Sequence, residues 1–255
     1  MTHLRSQAFV AAMSVMALAL SAAGAAAQTS FSIDPLMIQF DAETKNEVLT
    51  LTNASTKDVR FEIKAFAWDQ APPDGAMQLT PSPDIVIFPP LVTVKARGVQ
   101  RIRIGTTVAQ GQIEKAYRVM IEELPSGQAP AGDATVAVRT RIGVPVFIEP
   151  TKATLSGRVD SIRFSKQAIA IALANTGTTH AMVDSVVVRG LSGPDQVLFE
   201  DSLQGWYLLA GKTRSWQYAL KAAQCRNLKS VEVEIYANDK MLTTNAVVPA
   251  DACSP

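Results

Sequence analysis

Asn46-Glu47-Val48-Leu49-Thr50-Leu51-Thr52-Asn53 decides the fold class. Val48, Thr50 and Thr52 alternate with Leu49 and Leu51, a period of two that puts the leucines on one face of a strand and their neighbours on the other. Similar runs lie on both sides. Ser32 to Phe40 comes before it, and Val59 to Trp68, Ile85 to Phe88, Val99 to Ile104, Tyr117 to Leu124 and Thr135 to Ile148 come after. About seven strands over some 120 residues is the count of an immunoglobulin-like sandwich. No helical apolar spacing separates these runs, which excludes a TIM barrel and a doubly wound nucleotide-binding sheet.

Pro145-Val146-Phe147-Ile148-Glu149-Pro150-Thr151 closes this unit, and a second set of strands begins near Thr154. Ser161 to Phe164, Ala168 to Ala174, Ala181 to Arg189, Gln196 to Phe199, Arg214 to Leu220 and Val231 to Ala237 are its runs. Asn175-Thr176-Gly177 and Leu191-Ser192-Gly193-Pro194 are turn signals between them. The expectation is an all-β protein of two immunoglobulin-like β-sandwich domains, residues 28–150 and 151–255. The short linker predicts a fixed angle with a cleft between them.

Residues 1–27 read as a secretory signal: Arg5 ahead of the apolar Ala8 to Leu20, then Ala25-Ala26-Ala27 before Gln28. The apolar run is too short to span a membrane. Residues 28–255 then hold 23 basic and 23 acidic side chains, so nothing favours nucleic acid as a partner, and no membrane insertion is expected after cleavage. The two cysteines, Cys225 and Cys253, would form a structural disulfide in an oxidising compartment.

Signs of catalysis are missing. There is no GxSxG elbow, Walker loop, dinucleotide fingerprint or HExxH, and outside the signal His180 is the single imidazole. Glu122 and Glu123 are neighbours on a strand, so they point to opposite faces and do not form an acid and base pair. No enzyme activity, cofactor or metal is expected.

Three stretches carry more information. In Ala134-Thr135-Val136-Ala137-Val138-Arg139-Thr140-Arg141-Ile142, Ala134, Val136 and Val138 share one face while Arg139 and Arg141 share the other. Tyr117 to Pro125 is joined to it by a loop rich in Gly, Pro and Ala, and Phe88-Pro89-Pro90 precedes Val99 to Ile104. The sequence does not decide whether the Phe88–Pro89 bond is cis. In this order, Ser32-Ile33-Asp34, Leu49 to Asn53, Phe88-Pro89-Pro90, Glu122-Glu123-Leu124-Pro125 and Arg139-Thr140-Arg141-Ile142 resemble the periplasmic chaperones of the chaperone-usher pathway, which assemble pili. The likeness covers nearly all of the first unit. The second matches in size, β-character and its late cysteine pair.

The resemblance implies two immunoglobulin-like domains in a boomerang arrangement, located in the periplasm. Such a chaperone binds pilus subunits that lack a strand, lends them its own last first-domain strand, and delivers them to an outer-membrane usher. Ala134, Val136 and Val138 are then the side chains for the subunit groove, spaced about 6.6 to 6.8 Å apart. Alternation alone leaves open that these residues face the chaperone's own core instead. The family's best-known branch holds the subunit's terminal carboxylate with an Arg in the first strand and a Lys in the donor strand. Here Pro35-Leu36-Met37 has no basic residue and the donor position falls near Gly143 or Pro145, so the sequence looks more like the archaic branch. The substitute anchors are Arg118, Arg139 and Arg141, whose planar guanidinium can hold a carboxylate through two bonds. A secreted two-domain adhesion or ligand-binding module is the second reading, and an exported hydrolase the third.

Overall fold

The computed structural model describes residues 31–125, 139–165, 167–194 and 196–253. The expected signal segment lies outside them. Ten strands build the first sandwich: β1 (Phe31–Asp34), β2 (Ile38–Phe40), β3 (Asn46–Asn53), β4 (Val59–Ala71), β5 (Ala76–Pro81), β6 (Ile85–Phe88), β7 (Leu91–Val94), β8 (Val99–Thr106), β9 (Lys115–Glu123) and β10 (Arg141–Ile148). One sheet has the order β1-β3-β8-β6, and the other runs β2-β10-β9-β4-β5, with β7 also pairing β4.

The opening octapeptide is β3, and its leucines are fully buried while Val48 is exposed. With Phe61, Ile63, Ile102, Ile104, Val119 and Ile121 they form the first core. The expected single strand Ser32 to Phe40 is two. It breaks after Asp34, with β1 pairing β3 in one sheet and β2 pairing β10 in the other, and the Asp34–Pro35 bond is cis. The Phe88–Pro89 and Pro72–Pro73 bonds are also cis.

β11 (Gly157–Ser165), β12 (Ala168–Asn175), β13 (Ala181–Gly193), β14 (Gln196–Gln204), β15 (Tyr207–Leu208), β16 (Thr213–Ala219), β17 (Ser230–Ala237) and β18 (Lys240–Val247) form the second sandwich. Its sheets are β11-β12-β16 and β14-β13-β17-β18, with β15 on the start of β13. Ile169, Ile171, Val186, Val188, Val231 and Val233 fill its core. Cys225 and Cys253 form a disulfide beside that core.

A buried asparagine organises the end of one strand in each sandwich. Asn53 donates to the carbonyls of Lys57, Val94 and Lys95 and accepts from the amide and hydroxyl of Ser55. Asn175 closes β12 in the same way, donating to the carbonyls of Thr179 and Leu208 and accepting from the Gly177 amide. Asn53→Ala leaves several buried polar groups without a partner, so we expect a loss of about 2–3 kcal/mol in a urea titration. Stability equal to wild type would show that the loop re-forms those bonds itself.

Candidate functional site in the cleft

The two sandwiches meet along the outer face of the β2-β10-β9-β4-β5 sheet. On β9, Tyr117, Val119 and Ile121 point into the core, so Arg118 and Met120 point the other way. Arg118 lies opposite Pro145 of β10 and Phe66 of β4. Its guanidinium carbon stands 4.0 Å above the Trp68 ring, 5.5 Å from the Tyr207 ring and 5.8 Å from the Trp206 ring. Trp68 belongs to the first sandwich and the other two to the second, so the aromatic box around Arg118 is built across the cleft.

Arg118 is only 7% exposed. Nη1 donates to the Gly143 carbonyl at 2.9 Å, while Nε and Nη2 are buried with no hydrogen-bond partner among the described residues. Burial lowers the pKa of the guanidinium, with Tyr207 opposing the shift. Each buried donor without a partner costs about 1–3 kcal/mol, and stacking on aromatic faces returns about 0.5–2 kcal/mol. The site therefore holds a cation that an incoming anion with two acceptors would complete.

Gly143 of β10 lies under the arginine: a Cβ there would stand 3.8 Å from Cδ of Arg118, an ordinary contact, and 3.0 Å from the Met120 sulfur, which would have to give way. That strand pairs with β9 along its whole length but with β2 only at Val146, Phe147 and Ile148. Among the described residues no strand pairs with Arg141–Pro145 on the other side. Thr140 accepts a bond from the Glu123 amide, so even-numbered residues bond towards β9 and odd-numbered ones turn outwards. Arg141 thus presents its amide and carbonyl to an open edge and Gly143 its amide, the Gly143 carbonyl being bonded by Arg118, and Pro145 presents only a carbonyl. Among the described residues β10 is therefore an edge strand from Arg141 to Pro145, and β2 covers Val146 to Ile148.

The three arginines expected to anchor a carboxylate are not equivalent. Arg141 is on the cleft face four residues along β10 from Pro145, about 13 Å away, and pairs with Glu122 at 3.5 Å in the open. Arg139 is exposed. Of the three, only Arg118 is buried and has donors without a partner among the described residues. Ala134, Val136 and Val138, expected to fill the subunit groove, lie outside the described residues.

The cleft is fixed from both sides. Gln70 donates to the Tyr207 carbonyl at 2.7 Å and accepts from the Leu209 amide at 2.9 Å, holding β15 against β4. The His180 amide and ring both bond the Glu114 carboxylate at 2.8 Å, and the ring stacks on Phe147 at 3.8 Å. The Ser215 amide donates to the Pro73 carbonyl at 2.8 Å. The sequence singled out none of Trp68, Gln70, Trp206 or Tyr207. The available hint was that two of only three tryptophans are Trp68 and Trp206.

Residues 30–154 match the family described as pili and flagellar-assembly chaperone, PapD N-terminal domain. The first sandwich belongs to that family. This chaperone family is not enzymatic. Among solved structures, the chain is similar to the CsuC–CsuE chaperone and tip-subunit pre-assembly complex from the archaic chaperone-usher Csu pili of Acinetobacter baumannii. The identity is 18%, the TM-score 0.58, and the match covers 85% of this chain and 97% of the other. It is also similar to the CupB2 chaperone of Pseudomonas aeruginosa (15%, TM-score 0.52, 86% and 100%) and to the Salmonella enterica SafB chaperone in complex with the SafA pilin (13%, 0.54, 87% and 97%). These likenesses show the pilus-chaperone fold of two immunoglobulin-like domains across both sandwiches. No curated protein sequence matches the chain.

Proposed function

We propose that this protein is a periplasmic chaperone that binds pilus subunits by lending them a strand and hands them to an outer-membrane usher. Residues 28–150 form the subunit-binding domain and residues 151–255 the second domain. The open half-edge of β10 carries the reading: it lies beside a buried arginine with two spare donors, in a domain of the pilus-chaperone family. Backbone groups at Arg141 and Gly143 supply pairing that does not depend on the subunit's sequence, and Ala134, Val136 and Val138 supply alternating apolar side chains for its groove. Arg118 takes the terminal carboxylate, with Arg139 and Arg141 steering acidic groups from the rim. The CsuC–CsuE and SafB–SafA complexes support a pilus subunit as the partner. Periplasmic location follows the family, and the Cys225–Cys253 bond suits it.

Arg118→Ala tests the anchor. It removes a charge-assisted contact worth about 1.5–3 kcal/mol, so subunit affinity is expected to fall roughly ten- to a hundredfold in a pull-down titration, while the melting temperature stays close to wild type. Capture equal to wild type would remove Arg118 from the site.

A further inference from the structure

Arg118 is shielded from water before any partner arrives, and its three aromatic walls differ in freedom. Trp68 is buried between the sandwiches with Phe147 and Leu209. Tyr207 is held by the Gln70 bond to its carbonyl and packs edge-on against Trp68 at 5.3 Å. Trp206 is 41% exposed, meets Tyr207 edge-on at 5.7 Å and stands 5.8 Å from the guanidinium. Its backbone is nevertheless fixed. The Val183 amide donates to the Trp206 carbonyl at 3.2 Å, and preceding Gly205 lies so close to Val183 that a Cβ would come within 1.9 Å of its carbonyl oxygen. The indole can turn about its own side-chain bonds while the chain beneath it stays in place.

We propose that Trp206 is a movable cover over Arg118, which keeps the free Nε and Nη2 donors dry until a chain-terminal carboxylate takes its place. The inference rests on the reading that Arg118 binds that carboxylate and adds how the site is prepared for it. A guanidinium stripped of water during folding meets the carboxylate without first shedding a hydration shell, and in a site of low polarity its attraction is stronger than at the surface. The second sandwich thereby contributes to a site whose charge comes from the first.

The free protein tests the cover without any subunit. Phenylglyoxal labels accessible arginines, and mass spectrometry reads the rate at each one. Trp206→Ala is expected to raise the rate at Arg118 at least tenfold with Arg139 and Arg141 unchanged, and Trp206→Phe, which keeps a ring in place, to stay within about threefold of wild type. An unchanged rate in Trp206→Ala overturns the cover, as does an equal rise at all three arginines. In a second arm, N-acetylglycine is titrated against 15N-labelled protein, with N-acetylglycinamide as the uncharged control. The Trp206 indole signal is expected to shift with the acid, not with the amide, and not in Arg118→Ala. Equal shifts with both probes, or none, overturn the displacement. If Trp206 controls labelling but Arg118→Ala still captures subunit normally, the cover stands and the carboxylate reading falls.

Discussion

Val136→Asp combined with Val138→Asp is expected to reduce subunit capture at least a thousandfold while the free protein keeps its melting temperature. A single carboxylate buried in an apolar groove costs several kcal/mol, and two on one strand exceed what the backbone bonds return. The expectation of an intact free protein comes from where the first sandwich stops. Within β10 the residues that enter the first core, Val144, Val146 and Ile148, are even-numbered, and Ala134, Val136 and Val138 have the same parity. The partner strand β9, however, ends at Glu123, which already pairs with Thr140. Among the described residues the β10 side chains that enter the first core are Val144, Val146 and Ile148. An unfolded double variant would show that they belong to that core, which is the alternative that alternation in the sequence leaves open. A change in capture alone would assign them to the subunit.

The second large effect concerns stability. Replacing both Cys225 and Cys253 by Ala opens a loop of 28 residues' separation. In the chain-entropy account the crosslink is worth about 3–4 kcal/mol, which is a large part of the stability of an ordinary domain. Both cysteines pack against the second core, Ala252 beside them is buried, and its carbonyl accepts the Gln167 amide, so the bridge holds the end of the chain where it closes the sandwich. Urea titration of the double variant should show this loss, and adding reductant to the wild type should reproduce it. A loss under about 1 kcal/mol would mean the reduced segment stays docked through its packing alone.

Most of the fold was legible because its strands alternate. The run from Asn46 to Asn53 gave the boundaries of β3 and its buried side, and Ala168 to Ala174 came within one residue of β12. The missed strands lack the signal. β5 reads Ala76-Met77-Gln78-Leu79-Thr80-Pro81 and is exposed along nearly all its length, and β18 is an edge strand with no buried residue whose apolar residues sit in pairs at its two ends. β7 and β15 have only four and two residues, too few to establish a period. The break at Pro35 changes the buried parity, from Ile33 to Ile38 and Phe40, and the apolar run Leu36-Met37-Ile38 hides that change in the sequence.

The site was less legible than the fold. In the sequence Arg118, Arg139 and Arg141 are three arginines on strands, and only burial distinguishes the first from the other two. The box around Arg118 joins Trp68 to Trp206 across 138 positions, and Gln70 joins β4 to Tyr207 over a similar gap. Local periodicity says nothing about contacts made by packing one sandwich on another. Gly143 shows the same limit. In the sequence it marks the loss of a basic residue, and in the structure its carbonyl is the point where a different basic residue meets the edge.

The half-covered edge of β10 has a geometric consequence. A strand added along Arg141 and Gly143 meets β2 after Pro145, which itself has no amide to offer, so pairing stops there. Arg118 reaches the edge at Gly143, just short of that stop. A chain that ends on Arg118 must therefore run in the same direction as β10, with its last residue at the barrier. The protein would then measure its guest from the end: its length of pairing and its register would be set by where the guest's chain terminates, and guests of unrelated sequence would be seated alike.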